Sequence, residues 1–412
     1  MRILLLTQFF DPEPASIPGM PLARWLHQRG HEVEVVTGFP NYPGGRFYPG
    51  CKPAPWRREV IDGVRVNRVI LFPSHDRSGL GRAANYGSFA LSAATLGTAL
   101  RGRADAVYVY HPPATVAVPA LLWKYTQGMP FVYHVQDLWP ESVIESGMVG
   151  DSHVRRAVEW ALSRWCGLVY RSASRIAVLS PGFKRILTMR GVPEDKIEVV
   201  PNWVDETVFK PMAPDQRLAQ ELGMAGRFNL VYSGNVGHFQ GLGTAIRAAA
   251  RLRHLTQFRL VLIGTGLAEQ ELRTLAHNLG ADNVRFLGRR PYTEMGPITA
   301  LASALLISLQ DRPFFAATIP GKTQVALACG RPVLMSVQGD AADLITKAEA
   351  GVVCRPGDDA ALAAAMERMC LTSRTELEAM GARGRDYYVR ELSLDRGAKR
   401  LESILKAAAR ER

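Results

Sequence analysis

The chain has 412 residues, 47% of them hydrophobic and 21% charged, with a formal net charge of +12. That composition excludes a disordered or fibrous chain and leaves room for two domains, each with its own core. The five cysteines (Cys51, Cys166, Cys329, Cys354, Cys370) are scattered and form no C-x-x-C pair, so they argue against a disulfide framework or a zinc site and for reduced structural thiols.

Apolar runs alternate with longer helical patterns along the chain. "RILLLTQF" reads as a first buried strand, because it breaks at Asp11-Pro12 without the small-residue cleavage site of a secretion signal. "PLARWLHQRG" is an amphipathic helix closing on Gly30, and "HEVEVVTG" is the next strand. "WRREVIDGVRVNRV" and "RRAVEWALSRWCGLVYRSASR" carry basic residues spaced by apolar ones. Between them, "AANYGSFALSAATLGTAL" (83–100) has no charge but holds too many polar residues and glycines to span a membrane. "ADAVYVYH", "MPFVYHVQD" and "RIAVLSPG" are further strands, each ending in a polar or glycine turn. Residues 199–217 interrupt the rhythm with three prolines. It resumes with "RFNLVYSG", "FRLVLIGTG", "VRFLG", "ALLISL" and "RPVLMS", and the chain ends in a basic amphipathic helix, "RLESILKAAARER".

Strand–helix–strand repetition predicts parallel sheets covered on both faces, with ligands at the carboxyl ends of the strands. The expected fold class is therefore α/β, with two Rossmann-like domains facing across a cleft. The expected organisation is an N-terminal domain over 1–203, a C-terminal domain over 204–386, and a helical tail over 387–412 that packs back toward the first domain. No helix-turn-helix, zinc-finger or aromatic RNA platform appears, so nucleic acid is not an expected partner.

The nicotinamide fingerprint fails after the first strand, and "LIGTGL" offers only Gly264 and Gly266, which reads as a tight turn. "IPGKTQ" lacks the glycine that a Walker loop needs five positions earlier; Ala316 stands there. The stretch "YSGNVGHFQGLG" has the grammar of a phosphate cradle but no Lys or Arg between Ser233 and Gly243. Its missing cation is expected to be Lys322, in the first turn of a helix opened by Pro320 and Gly321. Cations are disfavoured at that end of a helix, so a purely solvated lysine there is a weaker reading than usual.

The order and spacing of "RGHEVEVVTGFPNYPGG", "VYHVQDLWPES", "VVPNWVD", "YSGNVGHFQGL", "VRFLGR" and "PGKTQVALACGRPV" resemble the GT-B glycosyltransferases of family 4, in the branch acting on lipid-linked O-antigen, capsule and exopolysaccharide precursors. The resemblance implies retaining transfer from a nucleotide-sugar, a UDP-sugar by default, to a polyprenyl-diphosphate-linked saccharide, with no cofactor and no required metal. It implies a cytoplasmic enzyme peripheral to the inner face of the plasma membrane, docked on anionic lipid by its basic first domain, with 83–100 at the interface. Two departures stand out. Asn235 and Gln240 occupy the places of the family's phosphate-loop Arg and Lys, and Ala317 and Val325 those of its paired glutamates.

The expected donor-binding residues are Gly234, Asn235, Gly237, Gln240, Gly288, Arg289, Gly321, Lys322 and Gln324. The amides of Gly234 to Gly237 would hold the diphosphate, and Gln324 would meet ribose or sugar hydroxyls. His134, Asp137 and Glu141 are the candidate catalytic groups; strand alternation separates His134 from Asp137, which lies past the strand end where a carboxylate can take the acceptor's proton. Asn41 and Tyr42, in the loop "TGFPNYPGGRFYPG", and His111, in "YHPP", are the candidate acceptor contacts. Two other readings fit the same residues: a nucleotide-sugar epimerase, which needs no acceptor, and a non-catalytic sugar-nucleotide-binding subunit, favoured by Ala317 and Val325.

Overall fold

Parallel strands dominate both halves of the chain. A computed structural model describes residues 1–14, 17–74, 79–145 and 152–411. The chain divides into two units, Met1–Pro201 with Leu394–Arg412, and Asn202–Ser393.

The first unit is built on eight strands: β1 (Arg2–Leu6), β2 (Glu32–Gly38), β3 (Trp56–Ile61), β4 (Val64–Val69), β5 (Ala106–Tyr110), β6 (Phe131–Val135), β7 (Arg175–Val178) and β8 (Ile197–Val199). Their order is β3-β4-β2-β1-β5-β6-β7-β8, and all pairings are parallel except β3 with β4. The central strands are apolar throughout because helices cover both faces: Ile3 to Leu6 are at most 1% exposed. The chain leaves β1 toward β2 on one side and returns through β5 on the other. The carboxyl ends of β1 and β5 therefore flank the topological switch point, where such sheets bind ligands.

The basic stretch "WRREVIDGVRVNRV" is a β-hairpin. Asp62 (φ 49) and Gly63 (φ 79) form its two-residue turn, and D-G is a dipeptide suited to a turn with both φ angles positive. Two of its arginines, Arg57 and Arg58, lie on the edge strand β3, where charge discourages further pairing. Residues 83–100 are helical, and Leu91 within them is 67% exposed. They belong to the helix Gly79–Ser92 and the short turns that follow it, with Phe89, Ala93 and Gly97 buried. Gly97 packs so closely on β2 that a Cβ would stand 3.1 Å from Val36.

The second unit has six parallel strands: β9 (Phe228–Ser233), β10 (Phe258–Ile263), β11 (Val284–Gly288), β12 (Ala304–Ser308), β13 (Val333–Ser336) and β14 (Gly351–Val353), in the order β11-β10-β9-β12-β13-β14. Its switch point lies between β9 and β12. The helix Arg374–Tyr387 and the turn through Leu392 stay with this unit, whereas the helix Leu394–Arg410 joins the first, against the helix Met20–Gln28 and the sheet. A buried carboxylate fixes it there: Glu402 accepts from Arg29 (2.9 Å), Lys406 (2.6 Å) and the His31 ring (2.9 Å). Burial works against its charge, but hydrogen bonds from Lys406, His31 and Arg29 prevail and hold its pKa down, to about 2.

Candidate active site

In the second unit, β9 feeds Ser233 and Gly234 into a tight turn, and β12 feeds the turn Pro313–Ala317 and then the helix Gly321–Ala328. Gly264 and Gly266, from the turn after β10, press on the first of these. A Cβ on Gly264 would stand 1.8 Å from the Gly234 carbonyl oxygen, and one on Gly266 would stand 2.3 Å from that of Val236. The G-x-G of "LIGTGL" is thus a backbone contact surface, not only a tight turn.

That contact consumes the loop's amides. Gly234 N–H donates to the Ile263 carbonyl (2.9 Å), Val236 N–H to that of Thr265 (3.0 Å), and Gly237 N–H to Gln240 Oε1 (3.1 Å). The expected cradle of bare amides from Gly234 to Gly237 is therefore corrected. Within it only Asn235, whose side is exposed, keeps an N–H without an acceptor among the described residues. Buried amides find protein partners when a neighbouring turn lies this close. Gln240 braces the loop from within. Open N–H groups remain instead at the two helix starts, Leu242–Arg251 after Gly241 and Gly321–Ala328 after Pro320, neither of which has a side-chain cap.

Lys322 sits where the two elements meet. Its ammonium lies 4.6 Å from the centroid of the Tyr232 ring, and its Cε would touch a Cβ placed on Gly234, at 2.8 Å. The Tyr232 hydroxyl donates to the Asn235 carbonyl (2.6 Å), which fixes the ring beneath it. Among the described residues no carboxylate pairs with Lys322, and burial lowers its pKa to about 8. Here is a desolvated cation beside a glycine turn, in the first turn of an uncapped helix, the electrostatic complement of an anion.

Other donor candidates divide. Gly288 ends β11 at φ +65 and accepts from Gly264 N–H (2.8 Å), and Arg289 beside it is exposed. Gln324 is 2% exposed, and its amide, turned as its surroundings require, donates to the carbonyls of Pro320 (2.9 Å) and Gly321 (3.2 Å). It is spent on carbonyls of its own first turn, in place of the expected contact with ribose or sugar, and leaves that turn's N–H groups open.

In the first unit several polar groups at the strand ends pair with one another, while His111 Nδ1 and Gln8 Oε1 are buried without a partner. His134 is fully buried, with the Tyr108 hydroxyl 2.7 Å from Nδ1 and the Gln136 amide 2.9 Å from Nε2. Burial pushes its pKa down to about 3. His111 is pushed down to about 3 as well, by burial and then by His134, and its ring packs on Tyr133 and Trp139 at 5.6 and 5.5 Å. Both are buried, neutral histidines with protein around them: His134, expected as a catalytic group, and His111, expected as an acceptor contact. Glu141 is committed to an ion pair with Arg190, beside a cavity of about 420 Å³ that Trp139 and Tyr170 also line. It is not a free catalytic carboxylate.

Asp137 is different. It lies past the end of β6, is partly exposed, and burial raises its pKa. The phenols of Tyr110 and Tyr86 are pushed up chiefly by burial, but both also feel Asp137 and Tyr42, which places the four side chains in one neighbourhood. Asn41, 2% exposed, serves the loop itself: its amide donates to the Phe39 carbonyl (3.0 Å) and accepts from Asn85 (3.3 Å). Beneath the loop, Glu13 accepts the N–H groups of Phe10 (3.1 Å), Asn41 (2.7 Å) and Tyr42 (2.7 Å). Tyr42, its ring tilted 53° to that of Phe9 with centroids 5.1 Å apart, is the member of this pair that can meet an acceptor.

Residues 20–203 match the family model "Glycosyl transferase 4-like domain", and residues 227–371 match "Glycosyl transferases group 1". The chain is a family 4 glycosyltransferase. It is 26% identical over 346 residues to the putative colanic acid biosynthesis glycosyl transferase WcaI of Escherichia coli (strain K12), covering 82% of this chain and 84% of that protein. It is 23% identical over 305 residues to the probable glycosyltransferase WbjE of Pseudomonas aeruginosa, covering 73% and 74%. The crystal structure of Anabaena Alr3699/HepE in complex with UDP superposes with a TM-score of 0.69 at 18% identity, over 99% of this chain and 100% of that one. That likeness is one of fold, and the fold is GT-B.

In this glycosyltransferase the two positions resembling the family's glutamates are apolar and withdrawn from water: Ala317 is 6% exposed and Val325 is partly buried. Among the described residues no group of three or more His, Cys, Asp or Glu side chains is arranged to hold a metal ion. Sequence reasoning missed Glu13, Tyr86, Tyr110 and Tyr232. Glu13 had a visible signal, an acid framed by prolines in "DPEP" at the carboxyl end of a first strand. The tyrosines had none, because an aromatic at a strand end reads equally well as core.

Proposed function

We propose that this glycosyltransferase moves a sugar, with retention of configuration, from a nucleoside-diphosphate sugar bound by the second unit to a lipid-linked saccharide received by the first. The observation that carries the reading is Lys322, a cation without a carboxylate partner set over Tyr232 and against Gly234. A diphosphate at that point would meet its ammonium and the open N–H groups of two helix starts. Charge growing on the leaving diphosphate is stabilised most by groups already aimed at it. UDP is the expected nucleotide, in keeping with the nucleotide bound to HepE. A cell-surface polysaccharide role accords with the likeness to WcaI.

The acceptor hydroxyl attacks the anomeric carbon on the face that the diphosphate leaves. The bond from that carbon to the phosphate oxygen breaks as the new glycosidic bond forms. Asp137, with its pKa raised by burial, takes the acceptor's proton. Lys322→Ala is expected to raise the donor KM or abolish turnover, and wild-type kinetics in that variant would refute the reading. Thermal shifts with UDP, GDP, ADP and dTDP would identify the nucleotide, since the ligand that binds the native state raises Tm.

Peripheral docking on anionic lipid belongs to the same proposal, and a second element of the first unit joins the expected residues 83–100. On the helix Ser152–Ser172, Val154 is 53% and Trp160 63% exposed, beside exposed Arg155, Arg156 and Arg164. Each basic residue near such a surface contributes about 1 kcal/mol. No helix among the described residues is long and apolar enough to cross a membrane. Flotation with anionic but not zwitterionic vesicles, lost in Trp160→Ser/Arg155→Glu, is the expected result; equal flotation with both would remove docking.

A further inference from the structure

Glu13 joins two loops at the carboxyl ends of β1 and β2. It is 3% exposed and stands in the loop after β1. Its Oε2 accepts the N–H of Phe10 (3.1 Å) in that loop, and its Oε1 accepts those of Asn41 (2.7 Å) and Tyr42 (2.7 Å) in the loop after β2. Among the described residues no cation lies within ion-pair distance of it. The buried Arg68 guanidinium is spent on Glu59 and on the carbonyls of Asp11 (2.5 Å) and Gly38 (3.5 Å).

A carboxylate suits this place for a physical reason. Three N–H groups converge from two loops, and an ionised carboxyl offers acceptors on both oxygens and no donor. The amide of a glutamine would turn its NH2 on one of these N–H groups and keep a single tie. The two bonds to the second loop have the short length of charge-assisted ones, against 3.3 Å for the Asn85–Asn41 amide contact on the same loop. Tyr42 is thereby gripped on both sides of its backbone, since the Tyr48 hydroxyl donates to its carbonyl (2.6 Å). That gives its ring a fixed place against Phe9, in the neighbourhood of Asp137, Tyr86 and Tyr110.

We propose that Glu13 is a positioning residue for the acceptor: by tying the two loops together, it sets Tyr42 as a wall of the acceptor site. It touches no substrate itself. This role rests on the proposed reading of the first unit as the acceptor's, with Tyr42 among its contacts. The tie is also a titrating one. Burial raises the Glu13 pKa, against its three backbone hydrogen bonds and the charge of Arg68. Arg68 faces it from β4 and Tyr48 from the second loop, and neither changes charge in the acid range. Asp11, in the same loop as Glu13, is also raised by burial, but it accepts the Met20 N–H (2.7 Å) and not the second loop. Protonating Glu13 turns one oxygen into a donor and loosens the tie, so the acceptor KM should rise as pH falls through its pKa. Asp137 titrates in the same direction but acts on kcat.

Steady-state kinetics of the full chain test the role, with donor and acceptor varied in turn from about pH 5 to 8. The acceptor probes are farnesyl-diphosphate-linked glucose, galactose and N-acetylglucosamine, and the donors are the UDP forms of the same sugars. At about pH 8, Glu13→Gln is expected to raise the acceptor KM about tenfold and the donor KM by less than about twofold. As pH falls, the wild-type acceptor KM is expected to climb toward that of the variant, which stays flat. A wild-type acceptor KM in Glu13→Gln, an equal rise in both KM values, or a pH limb that survives in the variant overturns the role of Glu13 alone, provided Tyr42→Ala weakens the acceptor. Should Glu13→Gln not fold, a wild-type acceptor KM that does not change with pH overturns it. An unchanged acceptor KM in Tyr42→Ala, or no turnover with any probe, overturns the acceptor reading and this role with it.

Discussion

The two switch points of this molecule solve opposite electrostatic problems with the same sheet topology. In the first unit, several polar side chains at the strand ends are paired among themselves: His134 between Tyr108 and Gln136, and Asn41 among Phe39, Asn85 and Glu13. In the second unit, a lysine is left unpaired over a tyrosine ring. A pre-paired network gives a rigid, uncharged floor on which a neutral saccharide can rest. An unpaired, desolvated cation is costly until an anion arrives, so part of the interaction with that anion goes into relieving the cost.

The contrast can be broken from either side. Asp137→Asn removes the one carboxyl of the first site that, among the described residues, is not already spoken for, and kcat is expected to fall about 10²–10⁴-fold with the donor KM unchanged. Because burial raises the Asp137 pKa, the wild-type rate should rise with pH through a value above the ordinary carboxylate range, and this limb should vanish in the variant. On the other side, Lys322→Ala is expected to cost about 10²–10³-fold in kcat/KM for the donor while the acceptor KM holds. Equal effects of both variants on both substrates would erase the division of labour.

Gly264→Ala sharpens the comparison, since the added methyl collides with the Gly234 carbonyl at a φ of +131 that L-residues rarely adopt. We expect a loss of roughly 2–4 kcal/mol in stability, read by chemical denaturation, together with weaker donor binding.

pH offers a gentler probe. With its folded pKa lowered to about 8 from 10.5, Lys322 loses its proton as pH rises through 8, so donor affinity should fall up to about tenfold per pH unit above that point. Stability has the opposite sign. Between about pH 8 and 10.5 the unfolded chain binds the extra proton, so this group's penalty on folding is full below 8 and is relieved as pH climbs. Lys322→Met should flatten both slopes. The smallest effect is expected at the exposed Arg289, where alanine should change the donor KM by no more than about threefold.

Much of the fold was legible because its signals are local. Buried parallel strands read as unbroken apolar runs, and β1, β2, β5 and β9 stand where "RILLLTQF", "HEVEVVTG", "ADAVYVYH" and "RFNLVYSG" stand. The hairpin β3–β4 was less so, since its exposed strand carries charges that resemble a solvated face; only Asp62-Gly63 announced it. At the sites, Lys322 was legible because a lysine at a helix start breaks a rule of local electrostatics. His134, Gln324 and Asn41 were not, because whether a polar side chain serves a ligand or its own backbone depends on what packs against it.

Composition, apolar periodicity and motif order thus determined the fold class, the glycosyltransferase family and the position of the unpaired lysine, each a property of residues near in sequence. Tertiary structure alone decided that the turn after β9 spends its amides on the turns around it, that the two buried histidines are neutral, and that Glu402 holds the last helix. Those outcomes follow from contacts between residues up to several hundred positions apart, and a buried hydrogen-bonding group takes whichever partner the fold brings within about 3 Å.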